Sequence, residues 1–449
     1  MVDVTGDTGG FDGGRRERPP RLRPGSRHVS GQSWESALRA TLRLELPAAE
    51  ALRRELHALP RVSGEEGPTL KRVLDALPGG MVEHVAGTGA LVRFGGPGPA
   101  VAVRGELDAL PIVERTGVDW ASVNGAMHAC GHDVHLAAVV ALARAHARLT
   151  ARAAAQAAGE AADEAPGPVL EGPPLVVVLQ PREEGFPSGA HDIVTSGVLE
   201  RQHVRAMIGA HVQPVLAEGV MSCTPGAVNA SSDEFRVTVK GSEGHAAYPH
   251  LTRDPVVAVA QVIVAAQQLV SRAADPMVPT VVTFGTVNAG TAPNAIPGEA
   301  VARGTLRTMS ANWREELHRA FTQVAEDVAR AHGCVAEVAI LPGEPVLSND
   351  PVLAVRAGDR LREQGWTVTE ELRSCGADDF AHYGDVAPSL MMFVGVDTAA
   401  GLHSPEFLPD DASVGAVAEA LLAGYLGASP STSGMMSSSS RTSASSRNR

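Results

Sequence analysis

The residues from Met127 to His135 read MHACGHDVH, and they set the strongest constraint on what this chain can become. One thiol, three imidazoles and a carboxylate fall within a turn and the opening of a helix. Each is a competent ligand for a borderline divalent cation. Further acidic and histidine clusters follow: QPREEG over Gln180 to Gly185, GAHVQP over Gly209 to Pro214, and GLHSP over Gly401 to Pro405. Clusters so far apart in sequence point to an active site assembled by folding.

The alternation of elements supplies the scaffold. Ala100 to Leu107 reads as a strand, Asp133 to Leu149 as an apolar helix, and Leu175 to Leu179 (LVVVL) as a buried parallel strand. Ala206 to His211 is a further short strand. Leu46 to Leu59 and Thr69 to Leu77 carry helical spacing. Open α/β sheets place their sites at the carboxyl ends of strands, where these polar clusters lie. From Val228 the texture changes. Glu234 to Lys240 alternates apolar and polar residues, and β-α-β-β-α-β follows to Leu341, the ferredoxin-like order. The α/β pattern then resumes, with a helix from Asp350, a strand over Leu390 to Val394 and a last helix from Ala412.

The expected fold is therefore α/β: a discontinuous catalytic domain (33–227 and 343–427) with a mostly parallel sheet flanked by helices, and an inserted ferredoxin-like α+β domain (228–342). Residues 1–32 and 428–449, rich in Gly, Arg and Pro or in Ser, are expected to be disordered, and 150–174 to form a surface insertion. At 449 residues, two domains is the natural prior. A net charge of -13 argues against nucleic acid as a partner. Scattered Cys130, Cys223, Cys334 and Cys375 suit a reducing, cytoplasmic setting. No secretory h-region and no uncharged apolar run of spanning length is read, so no membrane partner is expected.

Cys130 and His132, separated by one Gly, can converge on one ion or on two adjacent ions. Glu183 and Glu184 repel each other unless positive charge is near, and in extended chain they point to different sides. One can bind metal while the other faces water, the division that metal-assisted hydrolysis needs. Asp108, in RGELDALP, suits a carboxylate that orients a ligand or bridges two ions. His211 and His403 gain weight as ligands from their place after short apolar strands. In KGSEGHAAYPH, His245 stands in a Gly-containing loop, placed to donate to an oxyanion. Asn294 and Arg307 suit a substrate carboxylate, Arg through its bidentate fork. No Walker loop, HExxH helix, dinucleotide fingerprint or Gly-x-Ser-x-Gly elbow is present.

Taken in order, RGELDALP, HACGHD, QPREE, GAHVQP, GHAAYPH, NAIP and HSP resemble the metal-dependent amidohydrolases of the aminoacylase, hippurate hydrolase and indole-acetyl-amino-acid hydrolase group, relatives of carboxypeptidase G. The resemblance covers roughly Leu46 to Leu426. It implies hydrolysis of N-acyl-amino acids by a metal-activated water at two divalent ions (zinc, manganese, cobalt or nickel). By motif, Cys130, His132, Glu184, His211 and His403 match the ligands, Glu183 the general base and Asp108 the orienting acid. Asn294 and Arg307 match substrate contacts. The inserted domain matches a lid and dimerisation module, and His245 a histidine that reaches the partner subunit's site in a homodimer. Arg182, Phe186-Pro187-Ser188, Ser242-Glu243 and Asp378 depart from the usual pattern, which bears on substrate preference. A dipeptidase or aminopeptidase with the same centre is the alternative. A non-catalytic metal-bound protein is a further one, against which Glu183 argues.

Overall fold

The computed structural model describes residues 33–157 and 172–429, so the expected disordered ends and the middle of the insertion lie outside the described residues. Eight strands form the main sheet, in the spatial order Met81–Val85, Gly89–Phe94, Leu175–Gln180, Ala100–Glu106, Val204–Gln213, Ser389–Gly395, Val220–Ser222 and Thr367–Thr369. The central four run parallel. Their apolar sequences follow from burial on both faces. Leu175, Val177, Leu179, Val101 and Val103 pack with the helices Trp34–Ala58, His132–Ala157, Pro351–Glu363 and Ala412–Ala428. The alternate residues Val176, Val178, Ala100 and Ala102 face Gly189–Thr195, Val198–Arg201 and the turn at Asp379–Asp385.

Two local expectations need correction, and one hairpin has no counterpart among them. The first helix begins at Trp34 rather than near Leu46, with Pro47 inside it. An interior proline costs roughly 3 kcal/mol, and here the buried stripe of Leu38, Leu42, Ala49, Leu52 and Leu56 carries the helix past it. The hairpin of Met81–Val85 and Gly89–Phe94 lacks a long apolar run, and turns at Ala86 and Gly87 with positive φ. The last helix runs through Ala428, which the expected tail began with.

A second, four-stranded sheet has the order Thr280–Ala289, Glu299–Thr308, Asp233–Lys240, Val335–Pro342, antiparallel throughout. This is the ferredoxin-like order. Phe235, Val237 and Val239 point to the helices Pro255–Gln268 and Ala311–Ala331 and share a core with Val259, Val262, Leu317 and Phe321. The sheet starts at Asp233. Val228, where the change of texture was read, lies in a short strand, Gly226–Asn229, paired with Leu347–Asn349. One helical stretch, Pro255–Ala273, is long and apolar enough by length and composition to cross a membrane, contrary to expectation. Its buried side, Ala258, Val259, Val262 and Ala266, belongs to the core of this second sheet.

A buried charge cluster ties the first helix to the His132–Ala157 helix. Arg53 Nε donates to Asp133 (3.1 Å), and its other nitrogens reach Asp411 (3.1 Å) and the Pro409 carbonyl (2.6 Å). His57 bridges Asp133 (3.0 Å) and Glu114 (3.1 Å). Burial alone would lower the His57 pKa, but the Asp133 and Glu114 carboxylates overcome it and raise it to about 9. Protonated His57 thus stabilises the fold fully below its ordinary pKa of 6.5, and that stabilisation is lost as pH rises through about 9. The full contribution is on the order of 3 kcal/mol. In urea unfolding of the metal-free protein, the stability gap between wild type and His57→Gln should therefore shrink by about 3 kcal/mol from pH 6.5 to 9.5. A gap independent of pH would contradict this assignment.

Candidate metal centre

The turn before the His132–Ala157 helix presses against the end of the Val204–Gln213 strand. Gly131 makes this possible: its φ is +83°, and a Cβ there would lie 2.4 Å from Val212 Cγ2. The approach leaves Cys130 Sγ 3.4 Å from His211 Nε2. His132 opens the helix, and its Nδ1 lies 2.9 Å from the Asp108 carbonyl oxygen. That bond places the ring proton on Nδ1 and leaves the buried Nε2 without a hydrogen-bond partner. His211 Nδ1 likewise donates to the Val212 carbonyl at 2.6 Å, which frees Nε2.

The carboxylates arrive from the turn after Leu175–Gln180. That strand ends at Gln180, so Glu183 and Glu184 are placed by the turn and not by strand alternation. Glu184 Oε1 lies 3.1 Å from His403 Nε2, and Glu183 Oε2 lies 3.6 Å from His132 Nε2. His403 adopts φ +63°, a conformation costing of order 1–3 kcal/mol away from glycine. Its backbone N–H donates to Ala129 O at 2.9 Å, which ties the HSP turn to the HACGHD turn. Asp108 Oδ2 accepts from Ser63 Oγ (2.6 Å) and from the Glu184 backbone N–H (2.9 Å). Asp108 Oδ1 stays buried without a hydrogen-bond partner, 3.7 Å from His132 Nδ1.

Two overlapping ligand sets result: Cys130, His132 and His211 on one side, and Cys130, Glu184 and His403 on the other. Cys130 belongs to both. The donors are a thiol, imidazoles and a carboxylate, a chemistry suited to borderline divalent ions. Electrostatics agree. Burial, with Glu184 and Glu183 nearby, holds the Cys130 thiol well above its usual range. Burial and the repulsion of Asp378, Glu184 and Asp379 do the same for Glu183. Burial would also raise Glu184, but His403 and His132 hold it low. His211 is pushed down to about 3 by burial and by His135, so it is a neutral donor. A thiolate and several carboxylates packed this closely require positive charge, and the unpartnered Nε2 of His132 faces where it would sit. The residues fit two divalent ions.

Some expected residues are brought here and others are not. Cys130, His132, Asp108, Glu183, Glu184, His211 and His403 converge. His245 is exposed and pairs with Ala295 where Gly244–His245 meets Ala295–Ile296, and the exposed Asn294 accepts from the Ala246 N–H through its carbonyl at 3.0 Å. Among the described residues, no hydrogen bond or ion pair joins them to the ligand cluster. Arg307, next to last in the strand Glu299–Thr308, donates to the Cys375 carbonyl at 3.0 Å. The sequence reading passed over Arg104, which donates to Gln180 (2.9 Å), Asp379 (2.8 Å), Asp378 (3.3 Å) and Glu106. Asp378 and Asp379 lie beside Glu183. The signal available for them was an acidic pair before an aromatic residue in ADDF, noted only as a departure from a pattern.

Because the Cys130 thiol is held protonated in the metal-free protein, metal uptake must displace its proton. Calorimetric titration with zinc at pH 7, repeated in buffers of different ionisation enthalpy, should show net proton release, and affinity should fall as pH is lowered. Cys130→Ser should reduce that release, leaving the part that comes from His132 and His403, whose imidazoles nearby carboxylates also hold protonated. Release unchanged in Cys130→Ser would remove Cys130 from the ligand set.

Residues 102–424 match the model of "Peptidase family M20/M25/M40". The N-acetyl-L-cysteine deacetylase of Bacillus subtilis (strain 168) is 33% identical over 376 residues, spanning 81% of this chain and 84% of that protein. The N-acetyldiaminopimelate deacetylase of Leuconostoc citreum (strain KM20) is 32% identical over 381 residues, spanning 81% of this chain and 92% of that protein. A solved Bacillus subtilis structure, described as a dinuclear metal binding peptidase from the M20 family, aligns with a TM-score of 0.71 at 28% identity over 86% of this chain and 98% of that one. A mostly parallel sheet carrying convergent thiol, imidazole and carboxylate donors, a matched family model and relatives of this kind lead to one conclusion: the chain belongs to peptidase family M20/M25/M40 and is a metal-dependent amidohydrolase.

Proposed function

We propose that this enzyme hydrolyses the amide bond of N-acyl-amino acids, small acyl groups such as acetyl foremost, with Glu183 as the general base. The observation that carries the reading is the separation of the two adjacent glutamates. Glu184 is engaged with Cys130 and His403, whereas Glu183 stands 3.6 Å from His132 Nε2 and, among the described residues, has no cationic partner of its own at hydrogen-bond distance. The relatives' names, deacetylases of N-acetylcysteine and N-acetyldiaminopimelate, support the acyl-amino-acid class.

Cys130, His132, Glu184, His211 and His403 would hold two divalent ions, whose charge lowers the pKa of water toward ~7 and polarises an amide carbonyl. Glu183, its carboxyl pushed up by burial and by neighbouring acids, accepts a proton more readily than an ordinary glutamate, as a general base must. It takes the proton from the attacking water as the oxygen bonds to the acyl carbon. It then delivers that proton to the nitrogen as the C–N bond breaks, leaving a carboxylic acid and a free amine. Asp108 orients His132 through its own backbone carbonyl and keeps its carboxylate on Ser63 and the Glu184 N–H. Arg307 offers a fork for the substrate carboxylate, and Asn294 a hydrogen bond to it. His245 supplies the oxyanion donor. We assign residues 228–342 as a lid and dimerisation module, with His245 serving the partner subunit's site in a homodimer. Four free cysteines fit a cytoplasmic setting.

Glu183→Gln should bind two metal ions as wild type does while kcat falls by about 10²–10⁴-fold. Wild-type turnover in that variant would refute the base assignment. Across a panel of N-acetyl, N-benzoyl and N-indoleacetyl amino acids and free dipeptides, kcat/KM should favour the acylated compounds. Arg307→Ala should raise KM for carboxylate-bearing substrates by roughly 10–100-fold, the loss of a charged hydrogen bond. Faster cleavage of the free dipeptides would turn the reading to a dipeptidase.

A further inference from the structure

His211 reaches the metal centre from a stretch of strand that has lost a neighbour. The ladder between Ala100–Glu106 and Val204–Gln213 stops at the Val103–Ile208 pair, so on that side residues beyond Ile208 have no strand beside them. The Ser389–Gly395 strand still pairs on the other side, through His211 and Val212 to Gln213. The Val212 N–H, fully buried, would be left without an acceptor on the open side. His135 supplies it: the Val212 N–H donates to His135 Nε2 at 3.0 Å.

That bond decides the tautomer of His135. With Nε2 accepting, the ring proton is on Nδ1, which donates to Glu106 Oε2 at 3.1 Å. Glu106 in turn is held by Arg104. Both ring nitrogens of His135 are thereby used, so it is no ligand, although it lies close to one: the His135 and His211 ring centroids are 4.6 Å apart. The same Val212 is gripped at its other end, where its carbonyl accepts from His211 Nδ1. One residue thus couples the two rings.

The geometry points to His135, braced by Glu106, as a positioning residue that fixes Val212 and so aims His211 Nε2 at the ion it shares with Cys130. This rests on the metal-site reading above, not on the substrate. Without His135, Val212 loses its anchor and the His211 ring loses its fixed acceptor. Carboxylate–histidine supports of this kind typically change metal affinity by about 10–100-fold.

Titration of the metal-free protein with cobalt(II), following the d–d bands and the thiolate-to-cobalt charge-transfer band, tests this without any substrate. Wild type should take up two ions. His135→Phe, which keeps a ring but removes both bonds, should bind one of the two ions, the one on the His211 side, about 10–100-fold more weakly, with altered d–d bands and unchanged circular dichroism. Glu106→Gln should fall between the two. His135→Gln, able to accept from Val212 and donate to Glu106, should recover part of the affinity. Wild-type affinity and spectrum in His135→Phe would overturn the proposal, and if that variant fails to fold, the same result in Glu106→Gln would do so. A protein that binds cobalt in this pattern yet cleaves no N-acyl-amino acid supports this inference while refuting the proposed substrate.

Discussion

Negative charge gathered in a small buried volume governs this structure. Glu106, Asp108, Glu183, Asp378 and Asp379 all lie where the parallel strands end, together with the Cys130 thiol. Several carboxylates cannot share such a space unless cations and hydrogen bonds balance them. Arg104 balances one half. Fully buried, it divides its guanidinium among Glu106, Asp378, Asp379 and Gln180, and Tyr383 completes the set by donating to Gln180 at 2.8 Å. The other half, around Cys130, Glu183 and Glu184, has histidines but, among the described residues, no guanidinium in hydrogen-bond contact. The protein therefore carries its own counter-charge for the supporting layer and leaves the reacting layer to divalent ions.

The sheet explains why the acids meet there. A parallel strand covered on both faces is apolar along its length, so polar residues can appear only where it ends. Ala100–Glu106, Leu175–Gln180 and Val204–Gln213 are neighbours in the sheet, and their carboxyl ends deliver Asp108, Glu183 with Glu184, and His211 to one edge. The helix that begins at His132 adds its N-terminus, whose partial positive charge suits Asp133 in its first turn. His57 and Arg53 then pin Asp133 from the opposite helix. The ligand turn is thus held from behind by one ion cluster and faced by another.

The second sheet is built on different rules. Its strands are wet on one face, so Asp233–Lys240 alternates strictly between buried and less buried residues, whereas every residue of Leu175–Gln180 is buried. That contrast made both sheets readable from period alone. The antiparallel hairpin over Met81–Phe94 escaped because an edge strand such as Met81–Val85, with exposed Met81 and Val82, has no face that burial forces to be apolar. The helical start at Trp34 escaped although Ser33 caps it by accepting from the Ser36 N–H, because one cap residue is a weak signal beside the packing against the His132–Ala157 helix that stabilises this end.

By itself, the sequence determined the chemical inventory: a thiol, paired glutamates and isolated histidines at strand ends, and two kinds of hydrophobic period that separate the sheets. It determined this because ligand type and burial period are properties of neighbouring residues in the chain. Only the tertiary structure decided that Cys130 is common to both ligand sets, that Arg104 holds Asp378 and Asp379, and that His135 accepts from the Val212 N–H. Those outcomes depend on which strand loses its neighbour and where, and on the hydrogen-bond partner that fixes each imidazole tautomer. Both are set by contacts between residues far apart along the chain, and spacing in the sequence does not encode them.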